Sequence, residues 1–433
     1  MTALFLSFYG CSTIAPTDDS LVQLPERPSG ELPDIVPDTP DAPEGLPGET
    51  VPDVPDTPEE PEQHIELISI YHGGVVSVYS DEVKEYLTAQ YDEQPDILLE
   101  WYRTGDGSLI NQFVSFSWDA PKEDVPYTVT FSKNKDMTDS FAFVTYEESL
   151  SAGVFMPGVT YFWQVTSASD IQSAVDSFVI EDLTVRFVTV DGLDNIRDLG
   201  GWQTESGQRV KYGMIYRGTQ LNGYADGPEL TEQGREVFEI LGINSEIDMR
   251  TPGVDDNDQV SNLTGGEGKY LKAPFYAYTH IFPEFRQTNP VCRSFDERVP
   301  QSIRAIFEFL SDESNYPVYI HCNAGADRTG TIVFLINGLL GVGYEDLTAD
   351  FELTSFAGAG RRWRDDLMSS DHGNGVMQDD GSNYVAWGKM YDYMMRYYGT
   401  PNGTLSSAIR SYLSSVCGVS EEVMDAVCEI MLE

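Results

Sequence analysis

The chain has 433 residues, with 71 acidic against 26 basic side chains and a formal charge of −45. That length supplies two or three domains, and the charge excludes a nucleic-acid binder or a protein docked by charge on anionic lipid. No run of about 18 apolar residues occurs, so no membrane-spanning helix is expected, and five scattered cysteines exclude both a disulfide scaffold and a paired-cysteine metal site.

Residues 1–11 read MTALFLSFYGC, a short apolar stretch closing on Gly-Cys. They resemble the tail of a bacterial lipoprotein signal, which implies lipidation of Cys11 and export to the cell envelope, at the outer membrane or cell surface. Residues 12–63 form an acidic, proline-rich segment. Between 17 and 63 there are 11 prolines, 14 carboxylates and the single base Arg27. Proline blocks helix and sheet ladders, like charges repel, and little is available to bury, so an extended, disordered stalk is expected. At polyproline rise it would reach roughly 150 Å.

Residues 64–190 alternate with period two. Tyr127, Val129 and Phe131 share one strand face, as do Tyr161, Trp163 and Val165, with turn residues such as Gly105-Asp106-Gly107 and Pro157-Gly158 between the runs. The stretches Phe116–Pro121 and Pro157–Val165 resemble a fibronectin type III domain, which implies an all-β, immunoglobulin-like sandwich whose aromatics are core.

Residues 191–433 change character. Helical spacing marks Leu230–Leu241, the group Ile303, Ile306, Phe307 and Leu310, and the run from Ile332 to Leu339 that stops at Gly341. Strands are expected at Glu246–Arg250, Tyr270–Phe275 and Pro317–Ile320. Alternating strands and helices mean an α/β fold, a central sheet flanked by helices. Tyr384, Trp387, Tyr391 and Met394 have the spacing of a helix core stripe.

The most informative string, His321-Cys322-Asn323-Ala324-Gly325-Ala326-Asp327-Arg328-Thr329-Gly330, falls where a strand feeds a helix. Such a loop turns successive backbone N–H groups toward one point, and the helix dipole adds positive potential there, so a phosphoryl group fits. Under that field the Cys322 thiol ionises more readily and becomes a nucleophile. Arg328 can clamp two phosphoryl oxygens, Gly325 admits close backbone approach, Thr329 can donate to the sulfur, and His321 can brace the loop. Residues 323–328 are the expected phosphate contacts.

This Cys-(five residues)-Arg signature is that of the cysteine-dependent protein tyrosine phosphatases. Further strings narrow the resemblance to the bacterial tyrosine/serine phosphatase-like family: Asn195–Trp202, Val210–Gly213, Ile215–Gly218, Ile247–Arg250, Phe351–Thr354 and the helices near Tyr412 and Met424. The resemblance spans residues 191–433. It implies a phosphocysteine intermediate on Cys322, a general acid to protonate the leaving oxygen, and neither metal nor cofactor. The Trp-Pro-Asp motif that carries the acid in many relatives is missing, and Ala273–Tyr278 holds no carboxylate. Asp327 matches an acid used by related bacterial enzymes, with Asp248 second; structural pairing with Arg250 or Arg197 is the alternative expected of Asp248 and Asp198. Where close relatives often have lysine this chain has Ala326, which makes polyanionic inositol phosphates less attractive. Arg361 and Arg362, in the basic run Arg361–Arg364, are possible substrate contacts or a solvated face paired with Asp365 and Asp366.

The resulting expectation is a phosphomonoester hydrolase acting on phosphotyrosine in proteins or on small-molecule phosphates, with no nucleic-acid partner and membrane contact only through a lipid anchor. An inositol-phosphate or phosphoinositide phosphatase on the same loop is the second reading. A surface binding protein with a vestigial catalytic domain is the third.

Overall fold

Period-two alternation yields two sheets in the first part of the computed structural model, which describes residues 64–104, 113–121, 125–222, 229–251, 263, 269–284, 298–357, 362 and 376–433. Cys11, the stalk and the Gly105-Asp106-Gly107 turn lie outside the described residues. Residues 61–433 form one compact unit. One sheet has the order β1 (Glu66–Leu67), β3 (Val114–Asp119), β6 (Ser149–Ala152). The other runs β2 (Gly74–Val76), β8 (Asp176–Ile180), β7 (Thr160–Thr166), β4 (Tyr127–Ser132), β5 (Phe141–Thr145).

The two sheets meet through rings. Phe116 of β3 lies 4.9 Å from Phe131 of β4, 4.8 Å from Trp163 of β7 and 5.4 Å from Phe178 of β8, centroid to centroid. All four rings are buried, and each contributes about 2–3 kcal/mol by leaving water.

Two helices interrupt this β region, α1 (Asp81–Thr88) and α2 (Gln94–Thr104), so the expectation of an all-β segment is corrected. Helix α1 starts at Ser80, whose hydroxyl accepts from the Val83 N–H, and it buries only Val83 and Tyr86. Two anchors in eight residues leave too short a period to read from sequence. The helices reach into the second half of the unit. The Tyr86 hydroxyl donates to Glu352 at 2.7 Å, and the Trp101 indole donates to the Ser355 carbonyl at 3.3 Å.

The second half holds a five-stranded sheet in the order β12 (Lys269–Lys272), β11 (Ser245–Asp248), β13 (Val318–His321), β10 (Ile215–Gly218), β9 (Arg197–Asp198). All neighbours are parallel except β9, which runs against β10. Central β13 is buried along its whole length, as a parallel strand covered on both faces must be. Its helices are α3 (Glu232–Ile240), α4 (Arg298–Leu310), α5 (Asp327–Leu340), α6 (Tyr344–Glu352), α7 (Val376–Tyr398), α8 (Leu405–Tyr412) and α9 (Glu421–Met431). Helix α5, which leaves the loop after β13, is buried on nearly every side and packs against α6, α8 and α9. It ends where Gly341 takes φ +95°. On α7, Trp387 stacks on Phe351 of α6 at 4.2 Å, and Met394 is buried. Tyr391 packs on Tyr344; the Tyr384 side chain lies outside the described residues.

The Tyr86 contact ties the first half to α6. Tyr86→Phe leaves the buried Glu352 carboxylate short of a donor and is expected to cost about 2 kcal/mol, seen as a lower urea midpoint at unchanged slope; an unchanged midpoint would show that the contact contributes nothing.

Candidate active site

Strand β13 ends at His321, in register with Gly218 of β10 and Asp248 of β11. The next residue, Cys322, is buried at the base of the loop that leads into α5. What shapes this loop is the fate of its carbonyls. The Cys322 carbonyl faces His321 Nδ1 at 2.9 Å, and the Asn323 carbonyl accepts from the Gln220 N–H at 2.9 Å. Those of Ala324 and Gly325 accept from Asn195 Nδ2 at 3.0 Å and Arg217 Nη2 at 2.7 Å. Four consecutive carbonyls are thus drawn to the scaffold side.

In a trans peptide the N–H points opposite its carbonyl, so the amides of residues 323–326 turn the other way. Among the described residues the N–H groups of Ala324, Gly325 and Ala326 have no hydrogen-bond partner. They form a nest at the N-terminus of α5, which is the geometry that takes a tetrahedral oxyanion. Gly325 makes the turn with φ +65°, and a Cβ there would stand 2.3 Å from the Gly218 carbonyl oxygen. No other residue fits.

Beneath the loop lies a charged lattice. Asp350 of α6 accepts from Arg197 Nε at 2.9 Å and from Arg217 Nη1. Arg197 Nη1 then donates to Asn195 Oδ1 at 2.6 Å, fixing the amide that holds Ala324. Burial and the adjacent Arg217 push Arg197 down to about 10. Burial opposes charge on Asp350, yet Arg197 and Arg217 hold its pKa below the ordinary carboxylate value.

His321 faces acceptors on both sides, the Cys322 carbonyl and, at 2.8 Å, Glu246 Oε1. A carbonyl and a carboxylate can only accept, so the ring carries both protons. Burial disfavours that cation, but Asp248 and Glu246 raise its pKa above the usual value. At the thiol, burial also works against charge. The neighbouring Asp327 adds to that opposition, but the Arg328 guanidinium and Thr329 together outweigh both, and the Cys322 pKa falls below that of an ordinary cysteine. Arg328 itself is steadied by Asn323 Oδ1 and by the Met249 carbonyl at 3.3 Å.

Asp327 opens α5. Its two oxygens meet Arg362 Nε at 2.7 Å and Nη2 at 2.9 Å, and the Tyr278 hydroxyl donates to Oδ1. Burial raises its pKa, but Arg362 and Tyr278 bring it below the ordinary value. Arg362 is therefore buried on Asp327 and is no solvated face; Arg361, Arg364, Asp365 and Asp366 lie outside the described residues. Asp248 is fully enclosed and pairs with Arg250 (Nη2 at 2.8 Å) and Lys272 (2.9 Å); against burial, the charge of His321 and then these two cations lower its pKa.

The expected pairing of Asp198 with Arg197 is corrected. Adjacent strand residues face opposite ways, so Arg197 turns to Asp350 while Asp198 turns to Arg186 at 3.2 Å. Glu246, Asp248 and His321 place ligand atoms within 4.8 Å of one another, but Arg250 and Lys272 already bring two cations to that group. Sequence reasoning gave no role to Arg217, Gln220, Glu246, Tyr278 or Asp350. Arg217 and Asn195 sit in quoted strings; Gln220 and Asp350 carried no signal at all.

A loop of backbone amides around a buried, acidified thiol, closed by an arginine six residues on, defines the class of proteins that grip phosphoryl groups over a cysteine. A family model described as the tyrosine phosphatase family matches residues 188–433, more than half of the chain, and the chain belongs to that family. It is 26% identical over 175 residues to a provisionally named tyrosine-protein phosphatase of Cupriavidus necator, covering 37% of this chain and 60% of that one. It is 24% identical over 222 residues to a tyrosine-protein phosphatase of Nostoc commune, covering 46% of this chain and 69% of that protein. The core catalytic domain of the PP-IP phosphatase SIW14 from S. cerevisiae, crystallised with citrate, shares 14% identity over 39% of this chain and 88% of its own, with a TM-score of 0.23. That superposition is too poor to carry fold or function across.

Asp350→Asn leaves two buried arginines facing each other and is expected to cost about 3–5 kcal/mol in denaturant unfolding. Because the folded carboxyl lies below its unfolded value, its contribution is present above about pH 4 and is lost as pH falls through the folded value. The variant should lack that part of the acid-side loss; an equal slope in both proteins would remove Asp350 from the account.

Proposed function

We propose that the chain is a phosphomonoester hydrolase, a protein tyrosine phosphatase working through a phosphocysteine, and that it needs no metal. The observation that carries the reading is the set of four tethered carbonyls in the loop after Cys322, which leaves the Ala324, Gly325 and Ala326 N–H groups without partners among the described residues. The Cys322 thiolate attacks phosphorus in line, forming an S–P bond as the P–O bond to the leaving group breaks. The loop amides and Arg328 carry the charge on the non-bridging oxygens.

The leaving oxygen takes its proton from Asp327. Water then attacks phosphorus, Asp327 recovers a proton from it, and sulfur departs with the Thr329 hydroxyl donating to it. Asp248 is less suited, since it is enclosed and committed to Arg250 and Lys272. Arg362, rather than standing free to grip a second phosphate, is spent on Asp327. That favours a side chain with a single phosphoryl group, such as phosphotyrosine, over an inositol polyphosphate.

We read Cys11 as the lipid attachment site, residues 12–63 as a stalk from the bacterial envelope, and the paired sheets of residues 64–190 as a fibronectin type III-like module. Rings buried between two facing sheets support the last of these. Metabolic labelling with tritiated palmitate, lost in Cys11→Ala, tests the anchor.

Cys322→Ser should abolish turnover of p-nitrophenyl phosphate and phosphotyrosine peptides while phosphate still binds, and EDTA should leave the rate unchanged. A preference for inositol hexakisphosphate would transfer the assignment to the second reading, and vanadate binding without turnover between pH 4 and 8 would establish the vestigial one. The nucleophile needs Cys322 deprotonated and the acid needs Asp327 protonated, and both groups titrate below their ordinary values. Activity should therefore peak on the acid side of neutrality. Asp327→Asn should flatten the fall toward alkaline pH and slow alkyl phosphates more than aryl esters with good leaving groups; equal slowing would remove it as the acid.

A further inference from the structure

Strands β9 and β10 have two faces. On one, Arg197 and Arg217 support the phosphate loop; on the other, Asp198 and Tyr216 are directly paired in register, and Tyr216 lines a separate cavity of about 430 Å³. That volume lies within the range of small-molecule sites. The wall comes from both halves of the compact unit, with Lys133, Phe141 and Tyr161 from the first sheets, and Arg186, Tyr216 and Leu241 beyond them.

The wall has hydrogen-bond donors to spare. Of the five N–H groups of Arg186, Nη1 serves Asp198 at 3.2 Å and the Tyr216 oxygen at 2.8 Å, and Nη2 serves the Val154 carbonyl at 2.5 Å. Its Nε is buried with no partner among the described residues, and one Nη2 proton is likewise unused. The Tyr216 and Tyr161 hydroxyls accept, from Arg186 and from the Met156 N–H at 3.1 Å, which leaves their own protons without an acceptor among the described residues. Lys133 reaches only the Met156 thioether, at 3.4 Å. The one carboxylate on the wall, Asp139, stands 3.5 Å from Asn134 Nδ2. Burial, and after it the charge of Arg186, lowers the Lys133 pKa. Asp198 neutralises Arg186 from behind, but among the described residues no carboxylate is paired with Lys133.

We propose that this cavity binds a small organic anion with an apolar body. Its oxyanion head is taken by Lys133, the Tyr161 and Tyr216 hydroxyls and the spare Nη2 proton of Arg186. Its body lies against Phe141 and Leu241. Acceptor oxygens complete donors that are otherwise unmatched, and a negative charge relieves the repulsion between the two cations.

The test uses the full chain with its phosphate loop filled by orthovanadate, titrated with benzoate, phenylphosphonate and the uncharged benzyl alcohol by calorimetry. Saturable binding of benzoate or phenylphosphonate at one site, with a Kd below about 1 mM, is expected; which head binds tighter separates a carboxylate from a phosphate ligand. Benzyl alcohol should bind at least about tenfold more weakly. Arg186→Gln breaks a buried pair and is expected to impair folding, so the diagnostic variant is Lys133→Glu at the exposed rim, which should weaken benzoate at least about tenfold. Cys322→Ser should leave binding intact, which keeps this outcome separate from that of the phosphatase reading. Equal affinity for benzyl alcohol, an unchanged Kd in Lys133→Glu, loss of binding under orthovanadate, or no heat from either anion would each overturn the proposal.

Discussion

One buried carboxylate sets the shape of the loop between β13 and α5. Asp350 lies on α6, far from the loop in sequence, and holds two arginines that would otherwise repel each other in a dry interior. Through Arg217 it fixes the Gly325 carbonyl, and through Arg197 and Asn195 it fixes that of Ala324. A loop left to itself would let those peptides flip, since an amide prefers whichever side offers a partner. Among the described residues partners exist for the carbonyls but not for the N–H groups of Ala324, Gly325 and Ala326, which are left facing the other way. The energetic cost of enclosing two guanidiniums and a carboxylate is accepted where the return is orientation and not stability.

The same logic runs through β9 and β10. A two-residue strand paired to a four-residue one presents alternate side chains to opposite sides, and both sides are charged. Arg197 and Arg217 belong to the loop. Asp198 and Tyr216 belong to Arg186, and Tyr216 also lines the second cavity. Asp198 also accepts from the Gly200 and Gly213 N–H groups, at 2.9 and 2.7 Å, so one carboxylate closes two turns and steadies a cation. Burial pulls its pKa upward, and these donors together with Arg186 oppose that.

What could be read from sequence was what is local. His321 to Gly330 is a contiguous string whose chemistry follows from a strand meeting a helix, and the apolar run Val318–Ile320 and the stripe in α5 needed only periodicity. Asp350 could not be read, because its partners stand 153 and 133 residues away and a lone aspartate in a helix has no pattern. Gln220 acts through its backbone N–H, which any residue carries. Asp198 pairs with Arg186 and not with adjacent Arg197, since proximity in sequence is not proximity in space. In a strand, the neighbour is the one residue that points elsewhere. Helices α1 and α2 escaped because their buried faces are set by distant α6 and the turn after it.

Charge distribution explains how an acidic chain can still attract a phosphate ester. With 71 acids against 26 bases, the mean field repels anions. Yet Arg197, Arg217, Arg250, Arg328 and Arg362 all gather around one loop, and four of them are bound to carboxylates that cancel most of their reach. Of the five arginines, Arg328 is the one whose charge lowers the thiol. The site's attraction is therefore short-ranged: paired charges fade within a few ångströms, while amides and one guanidinium act at contact. A substrate must carry its phosphoryl group to the bottom of the loop before it feels a favourable field.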